Sequence, residues 1–136
     1  MRLCRFRKGY VIMKISEIKA LICDDSILVR KKLSDILKSA GITAIYEATN
    51  GIQAVENYKE YKPDITFMDI VMPEKTGLEA LEEIRAFNPD AKVVMASTIG
   101  TQSNLSAAIK AGAFDFLQKP VQDEDIYKIL NTFTKE

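Results

Sequence analysis

Two adjacent carboxylates, Asp24 and Asp25, close an apolar run in the stretch ALICDDSILVR. A third acid, Asp69, closes DITFMD, the pair Ser97 and Thr98 closes KVVMAST, and Lys119 follows AFDFLQ just before Pro120. Neighbouring acids repel, and the end of an apolar segment is an unfavourable place for them unless a cation is held there. Oxygen donors of this kind suit a hard divalent ion, magnesium best of all. One carboxylate could then act as a nucleophile toward an anionic group that a lysine ammonium and a hydroxyl also hold. Such a set accepts a phosphoryl group, and most of its work is positioning and charge neutralisation. The chain has no histidine. Ser–His and Cys–His nucleophile pairs, imidazole acid–base catalysis and His-ligated zinc are therefore excluded.

The elements that would position these residues alternate five times. Apolar or β-branched runs at 18–23, 42–48, 64–69, 92–97 and 113–118 read as strands. Helical spacing follows each. Leu33, Ile36, Leu37 and Ala40 share one face over 27–40, with Gly41 as the stop; Ile52, Val55 and Tyr58 share one over 51–61. Thr76 and Glu79 form a capping box that opens a helix through Leu78, Leu81 and Ile84. A helix through Leu105, Ala108 and Ile109 ends at Gly112, and residues 123–133 turn Ile126, Ile129, Leu130 and Phe133 inward. The methionines, Phe67, Phe87 and Phe133 are expected in the core.

Strict β-α alternation implies a parallel sheet covered by helices on both faces, with right-handed crossovers. All strand C-terminal ends then share one edge, where ligands bind in such folds. Asp24, Asp25, Asp69, Ser97, Thr98 and Lys119 meet there. Taken singly, each has an ordinary reading: a helix cap for Asp24, Asp25 or Ser26, a turn acid for Asp69, a solvated lysine for Lys119, strand-end hydroxyls for Ser97 and Thr98. Their joint placement favours the chemical reading.

The 136 residues suit one domain, at 47% hydrophobic and 28% charged. Net charge is zero but unevenly spread: residues 1–12 carry Arg2, Arg5, Arg7 and Lys8 and no acid, and the remainder holds 15 basic against 19 acidic side chains. An acidic body argues against a nucleic-acid partner. Residues 1–12 read as a disordered arm or an upstream-start artefact, and 13–136 as the domain. Cys4 and Cys23 make no disulfide framework and no metal spacing, no run is long enough for a membrane span, and a cytoplasmic location is expected.

From about residue 14 to residue 134 the chain resembles the receiver domain of two-component response regulators, most closely the single-domain chemotaxis type. The motifs are ICDDS, FMDIVMPEKTGLEAL, VVMAST and AIKAGAFDFLQKP. The resemblance implies a doubly wound (βα)5 flavodoxin-like fold with a five-stranded parallel sheet in the order 2-1-3-4-5, which is a known property of that family and not a product of spacing. It implies Asp69 as phosphoacceptor and Mg2+ held by Asp24, Asp25, Asp69 and the backbone carbonyl of Val71. Lys119 would bind the phosphoryl group, its bond to Pro120 being cis. Ser97 would be the switch hydroxyl and Phe116 the switch aromatic, standing where tyrosine is frequent. Thr98 stands where a small residue is common. Val71 and Ile99 occupy the two positions that flank the path of a hydrolytic water.

The function implied is a phosphorylation-dependent switch rather than an enzyme, although it would assist its own phosphorylation and dephosphorylation. A histidine kinase would be the donor, a flagellar motor switch component the target and a phosphatase a further partner, with no nucleic acid or membrane involved. Gly100 and Gln102 in STIGTQSNL suit the chemotaxis type. With no effector following Glu136, output through protein contact is expected. The alternatives are a phosphorelay intermediate or the receiver of a transcriptional regulator. An aspartate-nucleophile, metal-dependent phosphatase is remote, because Val71 stands where that chemistry needs a second acid.

Overall fold

The computed structural model describes residues 2–6, 9–13, 15–98 and 102–134, with side chains described over 15–98 and 105–131. Ile99 and Gly100, and the side chains of Gln102 and Phe133, lie outside the described residues. Strands β1 (Arg2–Phe6) and β2 (Gly9–Met13) pair antiparallel with each other, apart from the main sheet. That sheet comprises β3 (Lys19–Cys23), β4 (Ala44–Ala48), β5 (Ile65–Asp69), β6 (Val93–Ser97) and β7 (Asp115–Gln118). The intervening helices are α1 (Ile27–Ser39), α2 (Gly51–Tyr61), α3 (Gly77–Phe87), α4 (Gln102–Lys110) and α5 (Asp123–Thr134). All neighbours in the main sheet are parallel, in the order β4-β3-β5-β6-β7. Counted within the sheet this is 2-1-3-4-5, the doubly wound order that the resemblance implied.

Strand alternation sorts the side chains into two cores. Ala20 and Ile22 of β3, Phe67 of β5 and Val94 of β6 face α1 and α5, meeting Leu33, Leu37, Ile126 and Leu130. Leu21, Met68 and Met95 face the other way and meet Val55, Leu81, Ile84 and Ala108 of α2, α3 and α4. A sheet buried on both faces needs these near-continuous apolar strands. The sheet therefore sits between two packed layers, and its strand ends inherit that rigidity.

The expected helix signals are present. Gly41 follows α1 with φ of 107°, a left-handed stop. The Thr76 hydroxyl accepts from Glu79 N at 3.2 Å while the Glu79 carboxylate accepts from Thr76 N at 3.0 Å, completing the capping box. Three apolar positions depart from expectation. In α2 the buried stripe runs through Gly51, Ala54, Val55 and Tyr58, which leaves Ile52 on the flank at 43% exposed. In α4 Ala108 takes the buried position and Ile109 is 64% exposed. Phe87 is not core either: at the end of α3 it lies edge-on to Tyr58, 6.3 Å between centroids, with the Lys59 ammonium 5.6 Å from its ring.

Gly77 couples α3 to the end of β5. Its N–H donates to the Ile70 carbonyl at 2.8 Å, and a Cβ at this position would lie 2.0 Å from the Asp69 carbonyl oxygen. The obstacle is backbone, so it has no rotamer by which to yield. Gly77→Ala is expected to destabilise the protein by about 3 kcal/mol, as overpacking at a rigid site does. Urea melts check this; a loss within the range of ordinary surface substitutions would show that the β5–α3 turn adjusts freely.

Candidate functional site

The parallel strands end at one edge, and hydrogen bonds carry the ladder just beyond it. Asp24 N donates to Ala48 O at 3.1 Å, Ile70 N to Ala96 O at 3.0 Å, and Lys119 N to Ser97 O at 2.8 Å. These bonds extend the sheet's register into the first loop residues, so the side chains there start from fixed points. Ser26 is the N-cap of α1, its hydroxyl accepting from Val29 N at 3.3 Å. The ordinary capping reading thus belongs to Ser26, which leaves the two acids available for other partners.

Asp24 is 2% exposed. One carboxylate oxygen accepts from Ser26 N at 2.9 Å and the other from the Lys119 ammonium at 2.5 Å. The same ammonium lies 3.4 Å from Asp69 Oδ1, and the lysine side chain is 10% exposed. Asp69 Oδ1 also accepts a long bond from Val71 N at 3.4 Å. Asp25 is exposed. One oxygen from each of Asp24, Asp25 and Asp69 lies within 4.8 Å of the others. Three formal negative charges and one positive one thus share this space, and the lysine offsets only part of the repulsion.

Burial and charge both act on Asp69. Burial pushes its carboxyl above the usual aspartate range, the Lys119 charge opposes this, and Asp24 adds to the rise. Cys23, fully buried one residue before the acids, has its thiol pushed far up by burial and by Asp24, which makes it unsuited as a nucleophile.

The structure brings together Asp24, Asp25, Asp69 and Lys119. The Lys119–Pro120 peptide is cis. Ser97 is buried at the end of β6, and Thr98 beside it is exposed. Phe116 stands apart from the acids on β7, opposite Met95 in register and half-buried against the core on the α4 side. Val71 is 72% exposed.

Two residues went unnoticed in the sequence. Arg30 Nη1 donates to the Asp24 carbonyl at 2.7 Å, and its Nε donates to Glu47 Oε1 of β4, also at 2.7 Å. The signal was a basic residue on the α1 face of Leu33 and Leu37, three and seven positions earlier.

The chain matches the family model described as "Response regulator receiver domain" over residues 20–131. The Chemotaxis protein CheY of Thermotoga maritima is 47% identical over 117 residues, 86% of this chain and 98% of that protein. That of Bacillus subtilis is 44% identical over 113 residues, 83% and 94% of the two chains. Among solved structures, a chain of the CheX-CheY-BeF3-Mg+2 complex from Borrelia burgdorferi superposes with a TM-score of 0.82 at 31% identity, covering 85% of this chain and 88% of that one. The response regulator domain of Thermotoga maritima CheB gives 0.78 at 32% identity, covering 86% and 96%.

The raised Asp69 pKa has a consequence for stability. The native carboxyl binds its proton more tightly than the unfolded one, so stability falls as pH rises from the ordinary value of 3.8 through the raised native value. Above that interval the penalty is fully present. In metal-free buffer at neutral pH, Asp69→Asn is expected to be more stable than the wild type. The advantage should shrink as pH falls into the ordinary aspartate range. Urea melts of both proteins across this interval measure the difference, and a variant less stable at neutral pH would contradict it.

Proposed function

Because the chain belongs to the response regulator receiver family and is a phosphorylation-dependent signalling protein of the chemotaxis type, we propose that Asp69 is the residue that accepts the phosphoryl group. The observation that carries this reading is the Lys119 ammonium seated between Asp24 and Asp69, 2.5 Å from one and 3.4 Å from the other. A buried ammonium beside an acid at a sheet edge is poised to hold an acyl phosphate there.

The donor set fits magnesium. Three carboxylates offer hard oxygens within 4.8 Å of one another, and the exposure of Asp25 leaves room for retained waters. Asp24, Asp25, Asp69 and the Val71 carbonyl would hold the ion, which when bound neutralises carboxylate and phosphoryl charge.

The chain's own residues do the rest. An Asp69 oxygen attacks the phosphorus of a phosphohistidine on a partner kinase; the new O–P bond forms as the N–P bond breaks, and the imidazole leaves and takes up a proton. Lys119 holds a phosphoryl oxygen, where a compact ammonium serves as a point charge. The Ser97 hydroxyl turns to the phosphoryl group, Phe116 moves inward, and the surface of α4, β7 and α5 changes. The phosphoryl group acts through its preference for this second arrangement, so the change is a shift in populations.

Partners follow from this reading: a histidine kinase as donor, a motor switch component as target and a phosphatase. The Borrelia complex of CheX with CheY, BeF3 and magnesium supports a protein partner. Identity of 47% with a chemotaxis protein favours this reading over a phosphorelay intermediate. The working receiver unit is residues 13–136.

Acetyl phosphate with magnesium is expected to add one phosphoryl group by intact mass, and Asp69→Asn to abolish the gain. Lys119→Arg keeps the charge but replaces a point donor with a planar fork. It should take up the group yet fail to bind the partner. Partner binding by a modified Lys119→Arg protein equal to wild type would remove Lys119 from the switch.

Hydrolysis of the acyl phosphate needs a water in line with the P–O bond. At position 71 stands an exposed valine, and position 99 is an isoleucine. Neither side chain can hydrogen-bond a water. The phosphorylated state is therefore expected to be long-lived. Val71→Asn with Ile99→Glu should speed its decay about tenfold or more by placing polar groups along the water's path. Intact mass followed after donor removal gives both rates, and fast wild-type decay or an unaltered double mutant would refute the role of these two positions.

A further inference from the structure

The acid pair has a support that the proposed mechanism does not use. Arg30 sits on the first turn of α1 with its side chain only 12% exposed. Its guanidinium reaches in two directions at once, donating from Nη1 to the Asp24 carbonyl and from Nε to the Glu47 carboxylate, each at 2.7 Å. Glu47 is fixed in turn on β4, where its carbonyl accepts from the Asn57 amide at 2.9 Å and Ile22 is its register partner. The next β4 residue, Ala48, takes the Asp24 N–H at 3.1 Å. Both polar groups of Asp24's backbone are therefore tied to the end of β4, one directly and one through Arg30.

The consequence falls on Asp25. The Asp24 carbonyl and the Asp25 N–H belong to one planar peptide unit, so a bond that fixes the carbonyl fixes the plane from which Asp25 departs. The Asp24 side chain has its own anchors in Ser26 N and Lys119. Asp25 is exposed at the rim of the cluster, with one carboxylate oxygen within 4.8 Å of those of Asp24 and Asp69. We propose that Arg30, oriented by Glu47, is a positioning residue that holds the Asp24–Asp25 peptide so that Asp25 faces the metal site. Planar guanidinium geometry suits this: one rigid fork serves a carbonyl and a carboxylate at fixed relative angles, which a lysine has no means to do.

Charge and position pull in opposite directions here, which makes the inference testable by sign. Arg30 is a cation close to a site for a cation. If its charge were all that mattered, removing it would tighten magnesium binding. If it positions Asp25, removing it loosens binding, by about tenfold for a group that orients a metal ligand from the outer shell.

The inference rests on the magnesium reading above, and titration calorimetry of the full chain with magnesium chloride in metal-free buffer separates the two. Wild type should bind. Arg30→Met keeps the apolar stem and loses both bonds, and its dissociation constant should rise about tenfold. Arg30→Lys and Glu47→Gln should fall between wild type and Arg30→Met. The Arg30→Met, Glu47→Gln double mutant should be no weaker than Arg30→Met alone, because the two act as one device. In acetyl phosphate uptake, the half-saturating magnesium concentration should rise while the rate at saturating magnesium stays near wild type. Should Arg30→Met fail to fold in a urea melt, Arg30→Gln, which also removes the positive charge, carries the same comparison. Unchanged or tighter binding in the folded variants overturns the positioning role. No magnesium binding by the wild type would overturn the site reading and this inference with it.

Discussion

Three carboxylates and one ammonium share the C-terminal edge of the sheet, and their charges do not balance. Asp24, Asp25 and Asp69 each place an oxygen within 4.8 Å of the others, and Lys119 is the cation among them. A cluster with residual negative charge, partly shielded from water, raises the affinity of the edge for further positive charge. Burial at this edge makes Asp69 reluctant to ionise, with Lys119 opposing the effect and Asp24 adding to it. A site of this kind is costly to a free-standing fold, so the surrounding structure has to be rigid enough to impose it.

The rigidity comes from layers. Apolar residues alternate along β3, β5 and β6 so that both sheet faces are buried, one under α1 and α5, the other under α2, α3 and α4. Hydrogen bonds from Asp24, Ile70 and Lys119 then carry the ladder past the last strand residues. Gly77 lets α3 start against the Asp69 carbonyl, where a side chain would collide. Arg30 and Glu47 tie the start of α1 to the end of β4. Each device acts on backbone next to a charged residue, which is where repulsion would otherwise be relieved by movement.

The same arrangement links the cluster to a distant surface. Lys119 follows β7, and its N–H is bonded to the carbonyl of Ser97 on β6. Phe116 lies three residues before Lys119, half-buried toward α4. A change in charge at Asp69 therefore acts on a lysine whose backbone joins the serine's strand to the aromatic's strand. In the proposed switch, packed strands pass a local electrostatic change to α4, β7 and α5 as a choice between two arrangements rather than as a gradual deformation.

Much of this was legible in the sequence because it depends on local order. Regular alternation of strand and helix patterns implies a parallel sheet, and parallel strands place Asp24, Asp69, Ser97 and Lys119 at one edge. The Thr76–Glu79 capping box and the Gly41 stop involve residues three apart or a single backbone dihedral, so local sequence reveals them. Helix periodicity was less reliable at the flanks of a stripe: Ile52, Ile109 and Phe87 have the right character and sit just outside the buried arc. Tertiary structure alone decided the partners. Lys119 approaches Asp24, 95 positions away, more closely than it approaches Asp69, and Arg30 chooses a carbonyl and a glutamate from two other elements. Periodicity records which side of an element a residue occupies, whereas the partner of a long charged side chain depends on how separate elements pack and on which rotamers that packing leaves open.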